Sequence, residues 1–405
     1  MLRRAALACC LAVLTACDSG GGGGGSAASV ANVEWHRADL NAHVARWLAL
    51  APQPSGMMQG EFERGWQPTR NGIGELTLHS RVVYTMLVGY EASGDQRYLD
   101  AARRGTDYML LHFHDPEFGG FFQRVDAQGK PINPVKNTYG HAFALLALAH
   151  AARVTGDPKY KAAALAAWQD IRGKLRHPEG GLRMIAPRNF APGDGRNSQN
   201  HLMHMFEALL ALIDATGDQG VVADARELGD FVLNKLMVGL PTGGAFIPEW
   251  YDAHWQPLQG GEGYIDLGHQ FEWTHLLRSA ERRGLPPIYT EVADRLLKYA
   301  VANGYDEHDG GIFNRVHADG QVDRSKFWWP QAEAMRAFLA VPGRPDMVRR
   351  YQETQEFVDQ QFLDRENGGW HLAPKKACGG VACGKLQPDP YHLVGLHWTV
   401  LSSKQ

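Results

Sequence analysis

The chain of 405 residues repeats one pattern of turn signals, and this repeat constrains its fold more than any other feature. Single glycines separate pairs of helical segments at intervals of 62, 61, 67 and 59 residues. These turn glycines are Gly94, Gly156, Gly217, Gly284 and, as a weaker fifth member, Gly343. Gly-Gly pairs alternate with them at 119–120, 180–181, 243–244, 310–311 and 368–369. Such regular self-similarity is typical of repeated supersecondary units.

The segments between these markers have two kinds of helical pattern. "HAFALLALAHAARV" (141–154) is apolar almost all round, which indicates a buried inner helix. "KYKAAALAAWQDIRGKL" (159–175) and "VVADARELGDFVLNKL" (221–236) are amphipathic, as expected for outer helices. The chain has room for six such pairs, so we predict an all-α fold, an (α/α)6 barrel with its Gly-Gly loops at one mouth. An open solenoid is the alternative.

The N-terminus reads as a targeting segment rather than as part of the fold. Arg3 and Arg4 precede a short apolar run that ends in "LTAC" at Cys17, which is typical of a bacterial lipoprotein signal. We therefore predict a signal peptide over 1–16, a lipidated Gly-rich tether over 17–32 and a catalytic domain over 33–405. The lipid on Cys17 would hold the protein at a membrane, facing the periplasm or the cell exterior. Cleavage by ordinary signal peptidase, giving a secreted protein, is the alternative.

Charge and cysteine content limit the remaining possibilities. Without Arg3 and Arg4 the chain has 39 basic against 44 acidic residues, and no basic stripe that would favour nucleic acid as a partner. Cys378 and Cys383 lie close together in "CGGVAC". In an oxidising compartment they are expected to form a disulfide, since no further cysteine or histidine lies at the spacing of a zinc site.

Two His-x-x-Glu pairs are the most distinctive chemical feature: His204 with Glu207, and His269 with Glu272. Residues three apart share one face of a helix, and both pairs fall near the start of a predicted inner helix. Metal ligation, acid/base catalysis and two ordinary buried histidines are the candidate explanations. Di-metal bundles use the reverse order, Glu-x-x-His, together with further glutamates, so we expect no metal.

Five segments in chain order resemble motifs of the N-acylglucosamine 2-epimerase superfamily, which includes mannose isomerases and cellobiose 2-epimerases. They are "VKNTYGHAFALLALA" (135–149), "QNHLMHMFEALLAL" (199–212), "GHQFEW" (268–273), "FWWPQAEA" (327–334) and "PYHLV" (390–394). The resemblance spans roughly residues 75–400 and implies an (α/α)6 barrel. The "GHQFEW" and "YHLV" forms are similar to the mannose isomerase branch, and "FWWPQAE" to the cellobiose epimerases.

The resemblance implies a cofactor-free proton transfer at C2 of an open-chain mono- or disaccharide. By motif, His269 and His392 match the acid/base pair of the family. The residues that match its binding and orienting positions are Arg81, Asn200, His204, Glu207, Glu272, Trp328 and Trp329. Histidine suits the chemistry because its ordinary pKa lets it act as acid or base near neutral pH. Arg81 would stabilise the developing oxyanion, and Glu272 would fix the tautomer of His269.

Two other functions compete with a sugar isomerase or 2-epimerase. A glycoside hydrolase or lyase on the same barrel would need two carboxylates flanking the scissile bond, and Glu207, Glu272 and Glu333 are candidates. That reading leaves the histidines unexplained. An inactive carbohydrate-binding lipoprotein is the second alternative, although the whole acid/base set is present. The aromatic loop "PEWYDAHW" (248–255) suggests stacking against a sugar ring but fits mono- and disaccharides alike.

Overall fold

The computed structural model describes residues 31–69, 72–193, 195–380, 384 and 386–403. Over these residues the chain forms twelve α-helices in an inner and an outer set. The inner helices are α2 (Leu76–Ser93), α4 (Thr138–Thr155), α6 (Asn200–Thr216), α8 (Leu267–Ala280), α10 (Trp328–Leu339) and α12 (Tyr391–Ser402). The outer helices are α1 (Val33–Leu50), α3 (Gln96–Tyr108), α5 (Pro158–Lys174), α7 (Gln219–Phe231), α9 (Ile288–Gly304) and α11 (Pro345–Gln361).

The inner helices close into a ring. Each packs on the next along the chain, from α2 to α12, and α12 packs back on α2. Five outer helices follow their inner partners in sequence, whereas α1 packs on α12 and so completes the sixth pair from the other end of the chain. The prediction of an (α/α)6 barrel is therefore confirmed, and the open solenoid is excluded.

The repeated Gly-Asp dipeptides end one helix and start the next. Gly94, Gly156 and Gly217 adopt the left-handed conformation just after α2, α4 and α6. A residue with a Cβ is disfavoured in that conformation, which explains the glycines. The aspartate that follows each glycine caps the outer helix, because its side chain accepts a hydrogen bond from a backbone N–H of the first turn.

Short strands cross the mouth at which the inner helices begin. Two three-stranded antiparallel sheets have the orders β1-β2-β3 and β10-β11-β12, and three further pairs are β4-β5, β6-β9 and β7-β8. Their bounds are β1 Gly74–Glu75, β2 Arg124–Val125, β3 Pro131–Asn133, β4 Lys136–Asn137, β5 Ile185–Ala186, β6 Asn197–Ser198, β7 Val238–Gly239, β8 Ala245–Phe246, β9 Trp250–Tyr251, β10 Tyr264–Asp266, β11 Arg315–His317 and β12 Val322–Asp323. Asp266 is aligned with Arg315 across β10 and β11, and Asn197 with Tyr251 across β6 and β9.

A buried lysine anchors the corresponding loop in two repeats. Lys136 Nζ donates to Asp115 at 2.9 Å and to the carbonyl of Gly119 at 2.8 Å. Lys326 Nζ makes the same two bonds to Asp306 and Gly310, at 2.7 and 2.6 Å. These loops lead directly into α4 and α10, so the lysines fix the positions from which the inner helices start.

The opposite mouth, where the inner helices end, encloses a polar cavity of about 1200 Å³. We call it the rear chamber. Between the two mouths the inner helices are packed all round, as the unbroken buried run His141–Ala149 of α4 illustrates. Within the described part of the chain, no helix is both long and apolar enough to cross a membrane. The predicted signal peptide, the tether to residue 30 and Cys17 lie outside the described residues.

Candidate active site

The first turns of the inner helices bring polar side chains together at the mouth that carries the short strands. Predicted site residues in this cluster are Arg81 from α2, His204 and Glu207 from α6, His269 and Glu272 from α8, Trp328 and Trp329 from α10, and His392 from α12. Ring contacts and hydrogen bonds connect them around the barrel axis. Except for Glu207 and Trp329, which are partly exposed, all of these side chains are buried.

His269 is paired with a carboxylate from a loop. Its Nδ1 lies 2.7 Å from Glu249 Oε2, and Ser198 and Gln199 also donate to the Glu249 carboxylate. Burial alone would lower the pKa of His269, but the charges of Glu249 and then Asp266 outweigh it and raise the pKa to about 10. His269 is therefore an imidazolium at neutral pH, with Nδ1 engaged and Nε2 left for a ligand.

His392 has a carboxylate partner of its own. Its Nδ1 lies 2.7 Å from Glu333 Oε1. Glu333 also accepts from Arg336 Nη1 at 3.1 Å and from His275 Nε2 at 2.7 Å. Burial would raise the pKa of Glu333, but Arg336 and the two histidines hold it well below its ordinary value. Glu333 thus shares its charge among three partners, whereas Glu249 is paired with one titratable group and two neutral donors.

One indole joins the two histidines. The Trp329 ring centroid lies 4.9 Å from that of His269 and 5.5 Å from that of His392. Trp328 contacts His392 edge-on at 5.5 Å. In each histidine Nδ1 is held by a carboxylate, and among the described residues Nε2 has no hydrogen-bonding partner. The two histidines with an unbonded Nε2 therefore contact the same indole.

Arg81 lies in an aromatic and acidic setting. Its Nη1 donates to Asp389 at 2.9 Å, and its Nη2 donates to the Tyr139 hydroxyl at 2.6 Å. The guanidinium also lies 4.2 Å from the ring centroid of Phe143 and 5.0 Å from that of Tyr391. Burial would lower the pKa of Arg81, but Asp389 and the two tyrosines raise it. A permanent positive charge is thus fixed beside the cluster.

The second His-x-x-Glu pair forms the contact that its spacing predicts. His204 Nδ1 lies 3.2 Å from Glu207 Oε2, and the Tyr391 hydroxyl donates to the same carboxylate oxygen. Burial lowers the pKa of His204 to about 4, so its ring is neutral. Glu272 is fully buried, and its pKa is raised well above the ordinary value by burial and by the charges of Glu333 and Glu207. Its surroundings therefore favour the protonated carboxyl.

The carboxylates and histidines also form two groups that a metal ion could in principle occupy. One consists of His204, Glu207 and Glu272, and the other of Glu272, Glu333 and His392, with ligand atoms within 4.8 Å of one another. The donor set fits a cation poorly, since both Glu333 oxygens are already bonded and Arg336 lies against them. The expectation that no metal takes part stays a prediction.

Comparison with known proteins assigns the chain to a family. The model of the family described as N-acylglucosamine 2-epimerase (GlcNAc 2-epimerase) matches residues 58–395. The chain belongs to the N-acylglucosamine 2-epimerase family. It is therefore an enzyme of the isomerase class, and the resemblance of the five sequence motifs is confirmed.

Members of the N-acylglucosamine 2-epimerase family that resemble this chain include two kinds of sugar enzyme. A cellobiose 2-epimerase from Ruminococcus albus is 25% identical over 352 residues, covering 83% of this chain and 88% of the relative. A D-mannose isomerase from Thermobifida fusca is 31% identical over 323 residues, covering 72% and 75%. The solved cellobiose 2-epimerase of Spirochaeta thermophila has a TM-score of 0.80 at 22% identity, over 92% of this chain and 97% of that one.

The structure corrects one expectation drawn from the sequence. Glu272 does not fix the tautomer of His269, because both Glu272 oxygens lack a hydrogen bond among the described residues and Glu249 takes that position. His269 is the third residue of α8, so its ring turns back towards the preceding loop. Glu207, by contrast, contacts its own histidine, because His204 lies inside α6. Equal spacing in sequence therefore produces two different sets of contacts.

Several functional residues escaped sequence reasoning. Glu249 lies in the loop that was singled out for its aromatic residues, of which Tyr251 and Trp255 are instead buried in the core. Gln199 bridges Glu249 and the indole N–H of Trp273, next to the predicted Asn200. The Asn200 amide oxygen is buried without a hydrogen-bonding partner in the described chain.

The predicted disulfide is only partly visible. Cys378 is disulfide-bonded, and its expected partner Cys383 lies outside the described residues. Cys378 ends the short 3₁₀ helix Lys375–Cys378, on the loop that leads towards α12 and His392.

Proposed function

We propose that this enzyme transfers a proton at C2 of an open-chain aldose, with His392 and His269 as its acid/base pair. The proposal depends on one observation. Two histidine–carboxylate dyads, His269 with Glu249 and His392 with Glu333, both contact the indole of Trp329. Each dyad fixes Nδ1 as the donor to its carboxylate and leaves Nε2 for the substrate. The two dyads differ in charge environment: Glu249 is paired with His269 and two neutral donors, whereas Glu333 is shared among His392, His275 and Arg336.

The steps follow from that difference. His392 Nε2 takes the proton from C2, and the electrons of the C–H bond form the C1=C2 double bond of an enediolate. His269, an imidazolium at neutral pH, neutralises the negative charge that develops on the sugar oxygen. The fixed charge of Arg81 adds stabilisation. Return of the proton to C1, with transfer of the O2 hydroxyl proton to O1, gives a ketose. Delivery of the proton of His269 to the other face of C2, with the C1 carbonyl re-formed, gives the epimer.

Aldose–ketose isomerisation of a mannose-type sugar is the first candidate reaction, and 2-epimerisation is the second. Isomerisation is supported by the "GHQFEW" and "YHLV" motifs and by the 31% identity to a D-mannose isomerase. Epimerisation is supported by the presence of two independent histidine dyads on different helices and by the similarity to cellobiose 2-epimerases. A hydrolase is disfavoured because Glu333 and Glu207 are already hydrogen-bonded to histidines.

The test is product analysis with a panel of sugars: mannose, glucose, fructose, N-acetylglucosamine and mannobiose. A ketose from mannose or mannobiose supports isomerisation, and a C2 epimer of unchanged chain length supports epimerisation. Release of a shortened sugar would show that the reaction is hydrolysis rather than isomerisation or epimerisation. Binding without any product would favour the inactive carbohydrate-binding protein.

We also propose that the mature protein is anchored through a lipid on Cys17 and faces the periplasm or the cell exterior. The support is the "LTAC" motif after an apolar run and the Gly-rich stretch that follows. Partition of the expressed protein into a detergent phase, lost in Cys17→Ala, is the expected result. Equal partition of both forms into the aqueous phase would contradict the anchor.

A further inference from the structure

Glu333, the partner of His392, has a second histidine on its other oxygen. His275 Nε2 lies 2.7 Å from Glu333 Oε2, and His392 Nδ1 lies 2.7 Å from Oε1. Since an ionised carboxylate only accepts hydrogen bonds, both ring nitrogens carry the donated protons. Glu333 is fully buried between them. The three side chains form a continuous line, His392–Glu333–His275, which we call the histidine triad.

The outer end of the histidine triad reaches the rear chamber. His275 lies one turn after Glu272 on α8, and its ring lines the cavity of about 1200 Å³ at the opposite mouth. Its Nδ1 has no hydrogen-bonding partner within the described chain, and 8% of the residue is exposed. His275 lines this cavity together with Glu207 and Arg336, and among the described residues its hydrogen-bonded link to His392 runs through Glu333.

The charged groups around the histidine triad come from three neighbouring helices. Glu333 and Arg336 lie on α10, Glu207 on α6 and Glu272 on α8. Arg336 Nη1 donates to both Glu333 oxygens, at 3.3 and 3.1 Å, so it does not distinguish one oxygen from the other. Each histidine, by contrast, bonds one oxygen. The bond from His275 holds Oε2 and thereby helps to aim Oε1 at His392.

We infer that His275 is a positioning residue for the proposed proton transfer, because it orients Glu333 and withdraws charge from it, and so sets the basicity of His392. The inference rests on the proposed function of His392 as the base. Within the described chain His275 makes no hydrogen bond or ring contact with Trp329 or with the predicted substrate residues, and its hydrogen bond goes to Glu333. Its effect must therefore appear in the ionisation of His392 rather than in substrate affinity.

The direction of the effect follows from the charge on Glu333. Removing one donor leaves more negative charge on this carboxylate, which favours the imidazolium form of His392. The neutral base then exists only at higher pH, so the acid limb of the pH profile of kcat/KM moves upwards. The loss of one hydrogen bond corresponds to a shift of about half to one pH unit. A general loosening of the barrel would instead lower activity equally at every pH.

The experiment compares pH profiles of kcat/KM for His275→Phe, His275→Asn and His275→Gln. Phe has no donor, and Asn is too short to reach Glu333. Both variants are therefore expected to move the acid limb of the pH profile to higher pH. Gln places an amide N–H near the position of Nε2 and is expected to restore the wild-type limb. If the His275→Phe variant fails to fold, the His275→Asn and His275→Gln variants give the same comparison. The matched control is His201→Gln, since His201 is a buried inner-helix histidine whose hydrogen bond, among the described residues, goes to the carbonyl of Leu182.

A second readout keeps this inference separate from the reaction itself. Nitrogen-15 NMR of histidine-labelled protein, with the His392 signal assigned by His392→Gln, follows the ionisation of His392 without any turnover. Positioning by His275 is supported if His392 titrates at higher pH in the His275→Phe or His275→Asn variant and at the wild-type pH in the His275→Gln variant. An unchanged His392 titration in folded Phe and Asn variants overturns it. Absence of turnover in the wild-type enzyme would refute the proposed reaction but would leave this NMR comparison valid.

Discussion

Replacing Glu249 by Gln should remove the charge that keeps His269 protonated while preserving its surroundings. The Gln side chain can still accept from His269 Nδ1 at the 2.7 Å position and remain in contact with Ser198 and Gln199. Glu249 is the largest of the influences that raise the pKa of His269, which stands at about 10 against burial. Without this charge only the weaker influence of Asp266 opposes burial, so the pKa should fall towards the ordinary value of about 6.5.

The size of the effect depends on pH. At pH 8, a group with a pKa of 6.5 is protonated to only about 3%, whereas one with a pKa near 10 is almost fully protonated. If the reaction needs the imidazolium, kcat of the Gln variant should fall by about 30-fold at pH 8 and recover towards wild type near pH 5.5. The assay is the pH dependence of kcat for both proteins with the sugar that the product panel identifies.

The matched control is Glu179→Gln. Glu179 Oε1 lies 2.7 Å from His254 Nδ1, so the same chemical pair exists at the surface, where water screens it. This variant should keep the wild-type profile. An alkaline limb that stays within half a pH unit of wild type in Glu249→Gln would refute the assignment of His269 as a protonated group in the reaction.

Three further predictions concern the base, metals and the disulfide. His392→Ala should lower kcat by roughly 100- to 10,000-fold, with a much smaller change in substrate affinity, and kcat within threefold of wild type would remove His392 from the mechanism. Dialysis against EDTA should leave kcat unchanged, and loss restored by one divalent ion would establish a metal role for the Glu272 cluster. Reduction of the Cys378 disulfide should lower Tm by a few degrees at most, because a bridge to Cys383 would close a short loop; two reactive thiols in the unreduced, unfolded protein would contradict that bridge.

The fold was predictable because its signals are local and repeated. Gly94, Gly156 and Gly217 each sit where a helix must end in a left-handed residue, and the aspartate that follows starts the next helix. Gly343 lacks that conformation, in agreement with its weaker pattern. The pairing of α1 with α12 has no local signal, since it joins residues such as His36 and His397 that lie far apart in sequence.

The motifs identify the site residues, but the contacts of such a residue could be predicted only where its partner lies close to it in sequence. His204 and Glu207 meet because both lie inside one helix. His269 and His392 find their carboxylates on other elements, at Glu249 and Glu333. Sequence spacing does not encode which loop faces the first turn of a helix, so the two dyads and their different charge environments emerge only from the fold.

The origin of the hydrogen that the product carries at the reacting carbon tests the central claim most directly. We predict that proton NMR of the product formed from mannose or a mannose-terminated disaccharide in heavy water will show deuterium bound to carbon. Deuterium at C1 of a ketose identifies isomerisation, and deuterium at C2 of an aldose identifies epimerisation. A product with no deuterium on carbon, shortened by one sugar unit, would contradict histidine-mediated proton transfer and establish hydrolysis in its place.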